Sequence, residues 1–285
     1  CAVMAGKWRR TDYRRSKSRP CGRMRKILEK LEVLKKVFGY DSFREGQEKI
    51  IDAILRGQDV LGIMPTGAGK SIIYQVPALL FPGITLVISP LISLMKDQVE
   101  GLNQAGVHAA YLNSSLTQNQ YFKALDFARA GRYPIIYVAP ERLLTDSFLS
   151  FALNANISMV AVDESHCVSQ WGQDFRPSYL KITEFIDRLP VRPVVSAFTA
   201  TATKEVRDDI IDILQLREPA VETTGFDRKN LYFGVMTPKD RYGAIHHYLE
   251  THPGESGIIY CLTRKNVEEI CERGAQRRRA AAEPG

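Results

Sequence analysis

The eight residues Met64-Pro65-Thr66-Gly67-Ala68-Gly69-Lys70-Ser71 restrict what this chain can fold into more than any other stretch. An apolar run, Val60-Leu61-Gly62-Ile63, leads into them, and a helix-like run from Ile72 to Leu80 follows. Strand, glycine turn and helix in that order form the setting of a phosphate-binding loop. Gly67 and Gly69 let backbone N–H groups turn inward toward phosphate oxygens. The N-terminus of the following helix favours an anion. Thr66, Gly67, Ala68, Gly69, Lys70 and Ser71 are therefore assigned to a nucleotide's phosphates. Lys70 has the reach for the β- and γ-phosphates, and the Ser71 hydroxyl is a ligand for Mg²⁺. The strict motif has glycine where this chain has Met64, so the match is to the looser Thr-Gly-x-Gly-Lys-Ser form. A glycine turn that merely precedes a helix would not require all three local signals to agree.

The surrounding pattern sets the fold class. From Met24 the apolar positions Ile27, Leu28, Leu31, Leu34 and Val37 recur at helical spacing, and Gly39 ends that helix. Strand-like runs follow at Val60–Met64, Ile84–Ser89, Ala109–Leu112, Ile135–Ala139, Met159–Val162 and Val194–Thr199. Amphipathic stretches such as Leu91–Ala105, Gln118–Ala130 and Lys204–Leu214 separate them. This alternation predicts an α/β fold, a parallel sheet with helices on both faces. Residues 24–217 read as one nucleotide-binding domain, preceded at 1–23 by a basic, unpatterned segment that is disordered or non-native. Pro219, Gly225 and Asp227-Arg228-Lys229 mark 218–230 as a linker. A second alternation over 231–272 (Leu231–Met236, Tyr242–Leu249, Gly257–Cys261, Asn266–Ile270) reads as the start of a further α/β domain, cut short. Residues 273–285 read as an unpatterned tail.

Composition narrows the function less than it first suggests. The net charge of +7 invites a nucleic-acid partner, but residues 1–30 hold 11 Lys/Arg against 2 Asp/Glu, and residues 31–263 hold 22 against 26. The charge sits at the ends, where a basic tail is commonly a solvated segment. No apolar run reaches membrane length and no signal-peptide core follows the basic start. The expectation is a protein without membrane contact, cytoplasmic in a bacterium or nuclear in a eukaryote. Cys1, Cys21, Cys167, Cys261 and Cys271 show no metal spacing and read as free thiols, with Cys167 and Cys261 buried.

Two further constellations carry chemistry. Met159-Val160-Ala161-Val162-Asp163-Glu164-Ser165-His166 puts two carboxylates at the carboxyl end of a buried strand, 93 residues after Lys70. In open α/β sheets ligands bind at that edge. Asp163 is assigned to Mg²⁺, Glu164 to the attacking water, and His166 to the γ-phosphate side; the alternative is an acidic helix N-terminus. Upstream, Phe43-Arg44-Glu45-Gly46-Gln47 lies 23 residues before Lys70. The Gln47 amide both donates and accepts, as an adenine edge requires. Tyr40 or Phe43 can stack on the base, and Arg44 completes that binding group.

The ordered series of motifs resembles the superfamily 2 helicases and, within them, the RecQ family of DNA helicases. It runs through Phe43-Arg44-x-Gly46-Gln47, Pro65 to Ser71, and Ser89-Pro90-Leu91-Ile92-Ser93-Leu94-Met95-Lys96-Asp97-Gln98. It continues through Tyr137-Val138-Ala139-Pro140-Glu141-Arg142-Leu143, Asp163-Glu164-Ser165-His166-Cys167, and Ser169-Gln170-Trp171-Gly172-Gln173-Asp174-Phe175-Arg176-Pro177. Phe198-Thr199-Ala200-Thr201-Ala202 and Gly257-Ile258-Ile259-Tyr260-Cys261 close it, so the resemblance covers roughly residues 31–272.

What the resemblance implies is a RecA-like first domain and the beginning of a second. It further implies an ATP- and Mg²⁺-dependent motor that moves 3′ to 5′ on single-stranded DNA and unwinds duplex DNA in repair and recombination. Trp171, Phe175 and Arg176 would form an aromatic-rich loop linking DNA to hydrolysis, since aromatic faces stack on any base. Ser89, Pro90, Lys96, Thr199 and Thr201 would lie along the strand. A buried Trp-Phe pair is the plainer alternative for the loop. Ser165 stands where the family has Ala, and Lys229 where it has Pro. The resemblance stops after Cys271-Glu272. The expectation is therefore an incomplete motor, without the family's arginine fingers, that acts as a monomer, binds ATP and DNA weakly and does not unwind. The alternatives are an RNA helicase, which would carry Asp-Glu-Ala-Asp, and a nucleotide-dependent binding module without catalysis.

Overall fold

Seven short strands, β1 (Val60–Ile63), β2 (Ile84–Ile88), β3 (Ala109–Leu112), β4 (Ile135–Val138), β5 (Ile157–Val162), β6 (Val194–Thr199) and β7 (Ala220–Thr223), form one sheet in the order β3-β4-β2-β5-β6-β1-β7. Every pairing is parallel. These come from a computed structural model that describes residues 22–172, 174–224 and 231–282. The first strands are buried on both faces, and their alternate residues divide between two cores. Leu61, Ile63, Leu86, Ile88, Val160 and Val162 face one core; Val60, Val87, Met159 and Ala161 face the other. A period of two with apolar residues at every position requires helices above and below.

Those helices are α1 (Gly22–Phe38), α2 (Gln47–Leu55), α3 (Lys70–Leu80), α4 (Ile92–Gln104), α5 (Gln118–Arg129), α6 (Asp146–Asn154), α7 (Lys181–Arg188) and α8 (Lys204–Ile213). α1 to α4 cover one face through Val33, Leu34, Ile50, Ile54, Ile73, Tyr74, Met95 and Val99. α5 to α8 cover the other through Leu125, Phe148, Phe151, Ile182, Phe185, Val206 and Ile210. Thr117 opens α5 with a capping box completed by Gln120. In a parallel sheet all carboxyl ends lie on one edge, so the residues following β1, β2, β5 and β6 meet there.

The opposite edge is closed by Asp59, 3% exposed and just before β1. Its carboxylate takes Arg192 Nη1 and Nη2 (3.2 and 2.6 Å) and the backbone N–H of Val195 and Arg217 (2.9 and 2.8 Å). One side chain thus ties the starts of β1 and β6 to the approach to β7.

Three expectations change. The range 218–230 is not all linker, because β7 lies within it and pairs with β1 along its length. β7 is an edge strand with only one covered face, so its residues alternate partly buried and exposed and lack the apolar run of its neighbours. The chain divides into a unit ending at Asp227 and a unit from Arg228. Within the second, α9 (Arg241–Thr251) and α10 (Arg264–Ala282) form, and there is no strand among the described residues. Leu231–Met236 and Gly257–Cys261 have strand-forming side chains without a paired neighbour; Tyr232, Phe233, Val235 and Tyr260 are exposed. The tail is helical as far as Ala282, where Ala, Arg and Gln favour helix. Residues 1–21, the 225–230 part of the linker and 283–285 lie outside the described residues.

Candidate active site

Gly69 ends the loop after β1 in a left-handed conformation (φ 78°) and opens α3, so the first free N–H groups of that helix face the loop's interior. A side chain at Gly69 would put its Cβ 2.7 Å from Gln47 Nε2. Lys70 begins α3, and its Nζ donates to the Met64 carbonyl at 3.1 Å. The Met64 N–H in turn donates to Thr199 O at 2.9 Å, which joins the loop to the end of β6.

Asp163 and Glu164 follow β5, and Asp163 is 7% exposed. Burial, then the neighbouring Glu164 charge, pushes the Asp163 carboxyl up to about 6, against the opposing pull of the Glu164 N–H and Lys70. The Asp163 Oδ1 accepts from Glu164 N (3.0 Å), and its carbonyl accepts from the buried Tyr179 hydroxyl (3.0 Å). Glu164 itself is left-handed (φ 47°, ψ 46°), a costly conformation for a non-glycine residue, and it turns the chain off the strand. His166 Nδ1 lies 3.3 Å from Glu164 Oε2 and 2.9 Å from Thr199 Oγ1. Tyr40, Arg44, Gln47, Thr66, Gly67, Gly69, Lys70, Ser71, Asp163 and Glu164 line one cleft of about 390 Å³. That volume is within the range of small-molecule sites.

The cleft fits a nucleotide and a divalent cation on two observations. The cradle at Gly67 and Gly69 is built from backbone at positive φ. The Asp163 carboxylate in the same cleft is buried, and a nearby cation would offset the cost of burying its charge. Ser71 and Asp163 both line this cleft and carry the oxygen donors that a hard cation takes.

The upstream group enters the cleft differently from the sequence expectation. Gln47 is buried, and its Nε2 donates to Ala68 O (2.9 Å) and Gly69 O (3.2 Å) while its Oε1 accepts from Arg44 N (2.9 Å). The amide is committed to the loop rather than turned to an open base site. Arg44 Nη1 donates to Gly67 O. Tyr40 is half exposed at the cleft, whereas Phe43 packs against the core beneath the buried Lys30 ammonium, so of the two only Tyr40 lines the cleft.

The strand-contacting group also divides. Ser89 is 1% exposed and its hydroxyl has no partner among the described residues, so it does not present an oxygen to a phosphate. Thr199 is fully buried; its hydroxyl bonds His166 and Thr201 O (3.0 Å), which makes it a link and not a surface contact. Lys96 on α4 and Thr201 are exposed. Trp171 is 79% exposed, which rules out a buried Trp-Phe pair; Phe175 is half-buried. Arg176 bonds Asp174 Oδ2 twice (3.0 and 2.7 Å) and reaches Pro90 O (3.1 Å), joining the loop to the segment after β2. Cys167 is buried as expected and burial raises its thiol to about 12, while Cys261 is half-buried and Cys271 exposed.

One network had no signal in the local pattern. Buried Tyr74 on α3 interacts through its hydroxyl with Ser71 and Tyr137. Gln75 Nε2 then donates to Tyr137 Oη and to Gln98 Oε1, both at 2.9 Å. A metal-ligand candidate is thereby connected through the core to α4. Gln98 and Tyr137 were visible inside motif strings, but only the fold shows that they meet.

A family model for the DEAD/DEAH box helicase matches residues 44–209, more than half of the chain. The chain belongs to the DEAD/DEAH box helicases. It is similar to the ATP-dependent DNA helicase RecQ of Bacillus subtilis strain 168, 45% identical over 85% of this chain and 41% of the relative. The RecQ of Pasteurella multocida strain Pm70 is 46% identical over 85% of this chain and 38% of that relative. The resemblance to the RecQ helicases is borne out, and the chain spans about two fifths of the length of these relatives. A solved structure described as a hypothetical ATP-dependent RNA helicase from Sulfolobus tokodaii superposes with a TM-score of 0.54 at 23% identity, covering 69% of this chain and 57% of that one. That likeness concerns the RecA-like fold. No described helix is long and apolar enough to cross a membrane.

Proposed function

We propose that this chain is the ATP-binding motor lobe of a RecQ-type DNA helicase, which uses ATP hydrolysis to move 3′ to 5′ on single-stranded DNA and open duplex DNA in repair or recombination. The observation that carries this reading is the joining of the nucleotide cleft to an exposed aromatic loop, through His166–Thr199 on one side and Arg176–Pro90 on the other. Thr66 to Ser71 hold the phosphates, with Lys70 leaving Met64 O for the β- and γ-phosphate oxygens. Ser71 and Asp163 would hold Mg²⁺, which when bound would supply positive charge against those phosphate oxygens. Glu164 takes the proton of the water that attacks the γ-phosphorus as the bond to the bridging oxygen breaks. Gln47 exchanges a loop carbonyl for the adenine edge, with Tyr40 and Arg44 beside the base. Trp171 and Phe175 stack on bases, and Arg176, Lys96, Pro90 and Thr201 lie along the strand. Such a protein works as a monomer where DNA is, in a bacterial nucleoid or a nucleus.

The test is equilibrium binding of a fluorescent ATP analogue with Mg²⁺, competed by ATP and by GTP, for the chain and for Lys70→Ala. Selective displacement by ATP, abolished in the variant, is the expected result. Equal competition by GTP, or unchanged binding by Lys70→Ala, would overturn the assignment of the cleft.

A further inference from the structure

Trp171 presents its ring to solvent from a backbone that is held tightly. The Ser169 N–H donates to His166 O (3.2 Å) and the Gly172 N–H to Ser169 O (3.0 Å). A Cβ at Gly172 would fall 2.3 Å from His166 O, so the turn closes only around glycine. The Trp171 N–H donates to the Ser169 hydroxyl oxygen at 3.1 Å. That hydroxyl is fully buried, and its own proton goes to Asp209 Oδ2 on α8 at 2.6 Å. A hydroxyl donating to a carboxylate at this length is a strong, directional bond.

The position of Asp209 gives the bond a meaning beyond packing. Four residues, Ala200 to Thr203, join the end of β6 to the start of α8 at Lys204, with Thr203 as the helix cap (3.3 Å to Val206 N). Thr199, at the end of β6, holds His166. β6 and α8, adjacent in the chain, therefore hold the segment 166–171 at two points, His166 beside Glu164 and Ser169 beneath Trp171. We infer that Asp209 is the positioning residue of the Trp171 loop: through Ser169 it fixes the aromatic ring to α8, so that a shift at the nucleotide cleft is felt at the ring. The role of Trp171 in binding bases rests on the function proposed above; the tether itself does not.

The experiment uses the full chain with Trp8→Phe, which leaves Trp171 the sole tryptophan. Acrylamide quenching of Trp171 is read alone, with the Mg²⁺–ATP analogue, and with an oligothymidylate. Asp209→Ala is expected to change the quenching constant and to erase the nucleotide-induced change in quenching. It should leave analogue affinity within about twofold and the melting temperature within a few degrees. Asp209→Asn, which keeps an acceptor oxygen, recovers most of the wild-type behaviour. Ser169→Ala reproduces Asp209→Ala, and the double variant is no worse than either alone, as members of one linkage must be. Asp208→Ala, one residue away and paired only with Arg207 among its described contacts, serves as the control. Quenching of Asp209→Ala that matches Asp208→Ala would overturn the tether. So would a nucleotide response that survives in Asp209→Ala. Failure of the wild-type chain to bind oligothymidylate would instead count against the DNA reading, while the quenching comparison without DNA still decides the tether.

Discussion

Replacing Asp163 by asparagine separates what this carboxylate does for the fold from what it does for the cation. Burial and the adjacent Glu164 raise the folded-state value from 3.8 to about 6, so the folded protein prefers the protonated form. The stability this group contributes is therefore full below 3.8 and is lost as pH rises through about 6. Each unit is about 1.4 kcal/mol, which makes the ionised carboxylate a burden of about 3 kcal/mol near neutral pH and about 1.6 kcal/mol near pH 5. Asparagine keeps the oxygen that accepts from Glu164 N and carries no charge to desolvate. In urea unfolding without divalent cations, Asp163→Asn is expected to exceed the wild type by about 3 kcal/mol at about pH 7.5, and the gap to halve at about pH 5. Mg²⁺ with the ATP analogue should raise the wild type and not the variant. A variant less stable than wild type at neutral pH, or a gap that does not narrow on acidification, refutes the reasoning, because either means that desolvation does not dominate this site.

Three further outcomes follow from the contacts. Asp59→Ala takes the carboxylate from Arg192, which keeps backbone carbonyls such as Gln215 O, and from two backbone N–H groups, and a loss of about 3–5 kcal/mol in urea unfolding is expected, with nucleotide affinity of the folded protein unchanged; a loss below about 1 kcal/mol would show the clasp to be incidental. Gln47→Ala takes the Gln47 amide from Ala68 O and Arg44 N, while Gly69 O keeps the Ile72 N–H, so faster hydrogen exchange at the Arg44 amide and weaker ATP-analogue binding by about 1–3 kcal/mol are expected; unchanged exchange would show that the amide does not hold the loop. Trp171→Ala removes a solvent-exposed ring, so stability should stay within about 0.5 kcal/mol while oligothymidylate binding weakens by about 1–3 kcal/mol; a lower melting temperature with unchanged DNA binding contradicts the role given to the ring.

Local pattern was a good guide to the first sheet because its strands are buried on both faces and its helices on one. The runs at Ala109–Leu112 and Val194–Thr199 coincide with β3 and β6, and α5 begins at Gln118 as its capping box requires. β7 escaped because an edge strand with Glu222 and Thr223 carries no apolar signature; its identity comes from a neighbour some 160 residues away. Separations of 133 and 40 residues hid Asp59–Arg192 and Ser169–Asp209, pairs that no window of periodicity contains. Gln47 was legible as a residue of the cleft, but which of its possible partners it would take depends on where the loop carbonyls point. In the second unit, strand-forming residues at 231–236 and 257–261 were legible as propensity, and propensity without a partner gives no strand.

The place of β1 between β6 and β7 has a consequence for how the protein is made. Its residues leave the ribosome among the first of the sheet, yet both of its ladders are to strands that emerge some 130 to 160 residues later. β2, β4 and β5 can pair with one another in the meantime. During that interval Val60–Ile63 and the glycine loop after them are an unpaired apolar segment, and long-range parallel pairing is slow. The phosphate cradle is thus translated early, with Tyr40, Arg44 and Gln47 of the cleft before it, and is among the last parts to be assembled. A nascent chain halted before Val194 would expose it to chaperones, and nucleotide could begin to act as a folding ligand only after residue 223 has cleared the exit tunnel.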